Sequence, residues 1–275
     1  MKMNNRLKIG IFLLSIFVLG SLILPFFNEV DPTKQNIYPK KLPVSLEHPL
    51  GTNSLGQDIF WWLVFSIRNS LILGVTVSIF TTFIAGAVGL ISGYLGGGAD
   101  RVIMTLTDSV IAIPLFPILI VLATLVRGQT SFTIVGVILV IFGWAWGART
   151  IRSMALSLRE REFISMAKFS GSTTLEIVFR EVFPYVYAYL VVSFINAILW
   201  VITMESSLAV IGLSKVEIPT LGSIIFWALN YNALLIGQYL WIVAPVVATV
   251  LLFLGLFLTS TGYNQMYATR RGHAT

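Results

Sequence analysis

Few side chains in this 275-residue chain could do chemistry. There is no cysteine, histidine occurs only at positions 48 and 273, and acidic residues total twelve. No spacing of His, Cys, Asp and Glu resembles a metal-ligand set, and no nucleophile, base and orienting group fall on a recognisable catalytic scaffold. No G-x-x-x-x-G-K-[ST] phosphate-binding loop is present, so ATP hydrolysis by that mechanism is excluded. No cofactor is implied. The sequence reads as a non-enzyme. One carboxylate, Glu205, stands deep in an apolar run, where an ionisable group marks either a proton relay or a hydrogen-bonded clamp. As a clamp it would hold backbone near Gly212 or in the EIPTLG segment.

The elements that must carry these residues are membrane spans. Hydrophobic residues make up 56% of the chain, charged ones 11%, and the mean hydropathy is +0.88, far above soluble domains. An all-α membrane protein with six transmembrane helices follows, at about Ile9–Phe27, Ser70–Tyr94, Val110–Val126, Phe132–Trp146, Tyr187–Leu213 and Tyr239–Leu258. The net charge of +6 does not point to nucleic acid, because the cations are dispersed between spans. With the N-terminus inside, the inner segments hold Lys2, Arg6, Lys8, Arg101, Arg149, Arg152, Arg159, Arg161, Lys168, Arg180, Arg270 and Arg271. The short outer loops hold only Arg127 and Lys215, so both termini are expected to be cytoplasmic. The expected organisation is an anchor helix (9–27) with an outer segment to residue 69, a transport module over 70–265 and a tail over 266–275.

The outer segment contains HPLGTNSLGQDIF, His48–Phe60. Gly51, Asn53 and Gly56 suit tight turns, and the aromatic run after Asp58 suggests an interfacial helix to Ile67. The stretch is either an ordered turn anchoring the second helix or a surface that meets a ligand. The longest inner loop, 149–185, is punctuated differently. Ser157 with Glu160 and Thr173 with Glu176 form capping boxes, Gly171 ends the helix between them, and Pro184 stops the next. Phe163, Ile164, Met166 and Phe169 are expected to be exposed there, as a seat for a partner protein or on lipid headgroups. In the second span, Gly86, Gly89 and Gly93 make one smooth packing face. Pro114 and Pro117 suggest a kink, and Gly143 with Gly147 match a small-residue dimerisation spacing.

The inner loop resembles the EAA loop of ABC-importer permeases, with its alanine, glycine and proline at Ala167, Gly171 and Pro184. It departs from that pattern at Ser165-Met166, where Glu-Ala is usual, with Glu162 nearby. The outer stretch is similar to the segment after the first helix in the second permease subunit of peptide, nickel and opine importers. His48, Pro49, Leu50, Gly51, Thr52, Gly56, Asp58 and Ile59 match; Asn53 and Gln57 stand where Asp and Arg are usual. GYLGGGADRVIMTLTD with AIP after it, and ESSLAVIGL from Glu205, agree in order. The resemblance implies a type I importer permease fold and four kinds of partner: a second homologous permease, two ATPase subunits, an extracytoplasmic binding protein and membrane lipid. It also implies that Glu162, Ser165, Met166, Ala167, Gly171, Ser172, Thr173 and Pro184 couple to the ATPases. His48, Pro49, Gly51, Thr52, Asn53, Gly56, Gln57 and Asp58 would form an outer-face motif. The solute would be a peptide, an oligosaccharide or a metal chelate. A proton-coupled secondary transporter is the alternative, though neither internal repeats nor a series of midplane ionisable residues is visible.

Overall fold

A computed structural model describes residues 3–125, 132–211 and 218–272. The first helix, α1 (Asn5–Ile23), is capped by the Asn4 side chain and ends in a 3-10 turn, Leu24–Phe27. An irregular segment, 28–58, leads into α2 (Ile59–Leu95), whose 37 residues extend about 55 Å at 1.5 Å per residue. That exceeds the roughly 30 Å hydrocarbon layer, so α2 is too long to lie wholly within it. Next come α3 (Gly97–Ala112), α4 (Leu115–Leu125), α5 (Phe132–Gly143), α6 (Ala145–Arg159) and the short α7 (Glu162–Phe169). One turn, α8 (Thr174–Glu176), and a π-helical stretch, Ile177–Val182, then feed α9 (Phe183–Val210), followed by α10 (Leu221–Asn230) and α11 (Tyr239–Gly272). Among the described residues five helices are long and apolar enough to cross a bilayer, and α3 with α4, bent by 66°, make a sixth when that pair counts as one broken span. The all-α reading with six spans is borne out.

Several expected boundaries move. The interfacial helix and the second span are one continuous α2, so the boundary at residues 69 and 70 falls inside a helix. Ile59 and Trp62 are buried against Leu55, Ile224 and Trp241, which fixes the first turns in line with the rest. The fourth span runs Thr133–Arg159, past Trp146, and no cap forms at Ser157. Burial of Ile151 and Ala155 against α2 carries the helix through the Ser157–Glu160 box, an instance of packing overriding a local signal. Pro184 does not stop a helix either. Lacking an N–H, it cannot bond the Arg180 carbonyl; the chain before it shifts to π-helical register, Phe183 bonding Val178, and then continues as α9. Of the two prolines in the third span, Pro114 sits at the break because the residue before a proline is driven extended, as Ile113 is at ψ 119°. Pro117 lies in the first turn of α4, where its missing donor costs little. α11 continues through the expected tail to Gly272.

α2 is the spine, and among the described residues four apolar clusters sit along it. From its start to its end they centre on Ile59 and Trp62, Ile67 and Leu71, Leu73 and Val77, and Ala85 to Tyr94. Close approach to α6 depends on glycine: a β-carbon at Gly89 would lie 2.6 Å from the Ala148 carbonyl oxygen, and one at Gly93 equally near that of Arg152. Gly86 faces Leu190 of α9 instead, so the three glycines serve two neighbours. Gly143 and Gly147 are used internally, against Thr81 with Trp200 and against Ala85, so their spacing serves packing within the chain. α1 docks on α11 in the same way, with Gly10 against Thr259 and Gly262 against Leu7.

Candidate functional sites at the two ends of the bundle

At the start of α2 the outer-motif residues form a closed hydrogen-bonded platform. Asp58 caps α2, its Oδ1 accepting from the Phe60 and Trp61 amides, while its Oδ2 lies 2.7 Å from His48 Nδ1. Asn53 Oδ1 accepts from the Leu55 and Gln57 amides, and its amide nitrogen donates to Gln57 Oε1. Gln57 Nε2 donates to the Thr33 carbonyl, and Thr52 Oγ1 donates to that of Pro39. Gly51 and Gly56 have φ of 75° and 70°, and a β-carbon at either would press on the backbone of Leu42 or Tyr38 at 2.6 Å. His48, Thr52, Asn53, Gln57 and Asp58 are all buried. Their side chains build the surface from beneath, and what a partner could touch is the chain they hold up, Val44 and Leu46 among it. Ser54 and Gln238 tie the platform to the segment before α11 through a 2.7 Å bond.

Glu205 sits near the far end of α9, fully buried, and its Oε1 accepts from the Thr220 hydroxyl at 2.9 Å. Thr220 caps α10 in a box with Ser223. Asn69 and Ser70 of α2 hold the same segment at the Pro219 carbonyl and the Leu221 amide. The contact thus falls within EIPTLG but on a side-chain hydroxyl; Gly212 lies outside the described residues, as do Lys2, Arg127, Lys215 and His273. Across the start of α10, Gly222 lets the backbone touch Ser206 of α9.

At the other end, α7 closes with a Schellman turn: Ser172 N bonds the Ala167 carbonyl, Gly171 N bonds that of Lys168, and Gly171 takes φ 85°. The Thr173–Glu176 capping box forms as expected, whereas α7 begins at Arg161 with no side-chain cap. Ile164 was expected at the surface; it is fully buried with Ile177 and Val182, and Phe163 stacks on Tyr185. Glu162, Ser165, Met166 and Phe169 share the outward face, Phe169 being 92% exposed. Pro184 lies in the first turn of α9, beyond the π-helical stretch, its carbonyl accepting from Tyr267.

Sequence reading missed one cluster here. Asp100 of α3 accepts two bonds from Arg152 of α6, at 2.6 and 2.5 Å, and a third from Ser92 of α2. Arg159 donates to the Leu95 carbonyl, and Arg149 lies 3.4 Å from Asp108. Three cations counted above only as markers of an inner segment therefore brace α6 against α2 and α3. Their spacing of three and seven residues along one helix face was the available signal.

The buried platform lies at one end of the bundle, the exposed face of α7 at the other, and candidate membrane spans, one of them broken, run between. Residues 85–272 match the family described as the inner membrane component of binding-protein-dependent transport systems. The chain belongs to that family. It is therefore a multi-pass inner-membrane transport component, and the expected resemblance to importer permeases is borne out. Among relatives, the oligopeptide transport system permease protein OppC of Lactococcus lactis subsp. cremoris is 29% identical over 250 residues, covering 90% of this chain and 85% of the relative. OppC of Mycobacterium tuberculosis is 34% identical over 170 residues, 62% of this chain and 58% of that one. The dipeptide transport system permease protein DppC of Bacillus subtilis is 27% identical over 213 residues, 78% and 66% respectively.

Proposed function

We propose that this chain is one transmembrane half of an ATP-driven peptide importer, partnered by a second homologous permease, two ATPase subunits and an extracytoplasmic binding protein. The observation that carries this reading is the outward face of α7. Four residues at helical spacing, two of them large and apolar, stand exposed on a helix that a Schellman turn closes and a capping box follows, with Lys168 and Arg161 at the rim. An exposed apolar helix face rimmed by charge seats a partner. In this reading the ATPases grip Glu162, Ser165, Met166 and Phe169, while Ala167, Gly171, Ser172 and Thr173 set the turn that aims them. Closure of the ATPases on ATP then moves α7, and through Ile164 and Ile177 it moves α6 and α9.

Cation placement supports an inner location for both termini and for α7, and an outer one for residues 28–58. The binding protein would release its ligand against that platform, whose shape depends on the buried His48–Asp58 network. The transport module would span roughly 70–265 with α1 as an anchor on α11. Peptide is favoured over oligosaccharide or metal chelate because the relatives named above carry peptide transport in their names. Proteoliposomes holding the complete importer should accumulate labelled tripeptide only when ATP, the binding protein and this chain are all present. Uptake of an oligosaccharide or nickel chelate in place of peptide would overturn the substrate assignment, and peptide uptake driven by a proton gradient without ATP would overturn the class.

A further inference from the structure

α9 carries two unlike faces. One, with α2, walls a groove of about 660 Å³ lined by apolar side chains such as Ile79, Phe83, Phe179 and Phe194. On the opposite face, Tyr189, Ser193, Asn196, Trp200, Thr203 and Ser207 fall within about 40° of a common line at 100° per residue. The first four open on a cleft of about 680 Å³ closed by Trp146 and Thr150 of α6 and by the bend at Pro114. From Tyr189 to Ser207 the stripe extends about 27 Å, most of the thickness of a hydrocarbon layer.

Its chemistry does not suit lipid. An exposed carboxamide such as Asn196 is disfavoured against acyl chains, so this face looks onto water or protein. Asn196 Oδ1 accepts from Ser260 of α11, which fixes the side chain. Thr203 and Ser207 bond back to the carbonyls of Leu199 and Thr203, but among the described residues the Ser193 hydroxyl and the Tyr189 phenol have no partner within the chain. No acid, lysine or arginine lines the cleft.

Resting on the peptide-importer reading above, we infer that this cleft is the seat of the peptide main chain during passage, with Tyr189, Ser193 and Asn196 as its hydrogen-bonding wall. Neutral hydroxyls and an amide match the N–H and C=O groups that every peptide presents, and the flanking indoles of Trp146 and Trp200 accept side chains of varied shape. Without fixed charge the wall does not select by the charge of those side chains. Tyr189 to Asn196 covers about 10 Å, the extended length of about three residues.

The chain has no native cysteine, which makes a direct test possible. Ser193→Cys, Asn196→Cys and, on the opposite face, Val191→Cys are placed singly in the complete importer in proteoliposomes and treated with a membrane-impermeant methanethiosulfonate. The first two should react, and a transported tripeptide at about ten times its Kd should slow the reaction about tenfold; Val191→Cys should stay unmodified. If either stripe variant fails to assemble, Thr150→Cys on the facing wall gives the same readout. Reaction in the isolated chain but not in the importer would make the stripe a permease–permease interface. Reaction indifferent to peptide would make it a water-filled wall only. Either result overturns the inference. Failure of the transport reading shows separately, as absence of tripeptide uptake by the unmodified complex.

Discussion

Gly171→Leu is expected to leave the importer assembled while removing most substrate-stimulated ATP hydrolysis and uptake, and Gly171→Asn is expected to keep both. A β-carbon at Gly171 would meet nothing within 4 Å, so no packing is lost. The whole cost is conformational: φ of 85° is disfavoured for leucine by about 1–2 kcal/mol, whereas asparagine enters the left-handed region readily. If that cost falls on the docked position of α7, its population drops by a factor of about 5–30. Purified complexes compared for subunit content, basal ATPase and stimulated ATPase separate coupling from assembly. A leucine variant with undiminished stimulation would refute the coupling role of this turn.

Glu205→Leu is expected to cut uptake by tenfold or more, and Glu205→Gln by threefold at most. The glutamine oxygen can still accept from Thr220, but leucine strands a buried hydroxyl at a cost of about 1–3 kcal/mol. That loss loosens the segment 218–223, which Asn69 and Ser70 hold from the other side, and with it the junction of α2, α9 and α10. A relay role predicts something else: glutamine as damaging as leucine, with uptake by the wild type changing with pH in step. Measuring uptake by both variants from pH 6 to 8 decides between them.

The parts of this molecule that were legible in the sequence are those set by local chemistry. Gly171 and the Thr173–Glu176 box turn as expected because a left-handed residue and a reciprocal cap need only their neighbours. The apolar spans were legible for the same reason, five being long enough as single helices and the sixth only as the bent pair of α3 and α4. What failed depends on contacts distant in the chain. The Ser157–Glu160 box is overrun because Ile151 and Ala155 find Gly89 and Gly93 across the helix interface. Ile164 looked like surface until Ile177 and Val182 came over it. The outer stretch stayed open between an anchoring turn and a ligand surface because Gln57 bonds the carbonyl of Thr33 and Ser54 reaches Gln238, partners that no spacing announces. Asp100 and Arg152, 52 residues apart, pair for a like reason. The stripe on α9 was visible in principle, but its small hydroxyls were hidden within an apolar average, and only the cleft beside them gives it meaning.

The central claim is that the platform and α7 work on opposite sides of the membrane, the second of them against ATPase subunits. It is tested most directly with single cysteines at Leu46, fully exposed on the platform segment, and at Phe169 on α7. In intact cells a membrane-impermeant maleimide should label Leu46→Cys and spare Phe169→Cys. In inverted vesicles the pattern should reverse, and a short reagent with one thiol-reactive and one amine-reactive end should link Phe169→Cys to an ATPase subunit. Labelling of Phe169→Cys in intact cells, or its failure to crosslink to any ATPase in the assembled importer, would contradict the account.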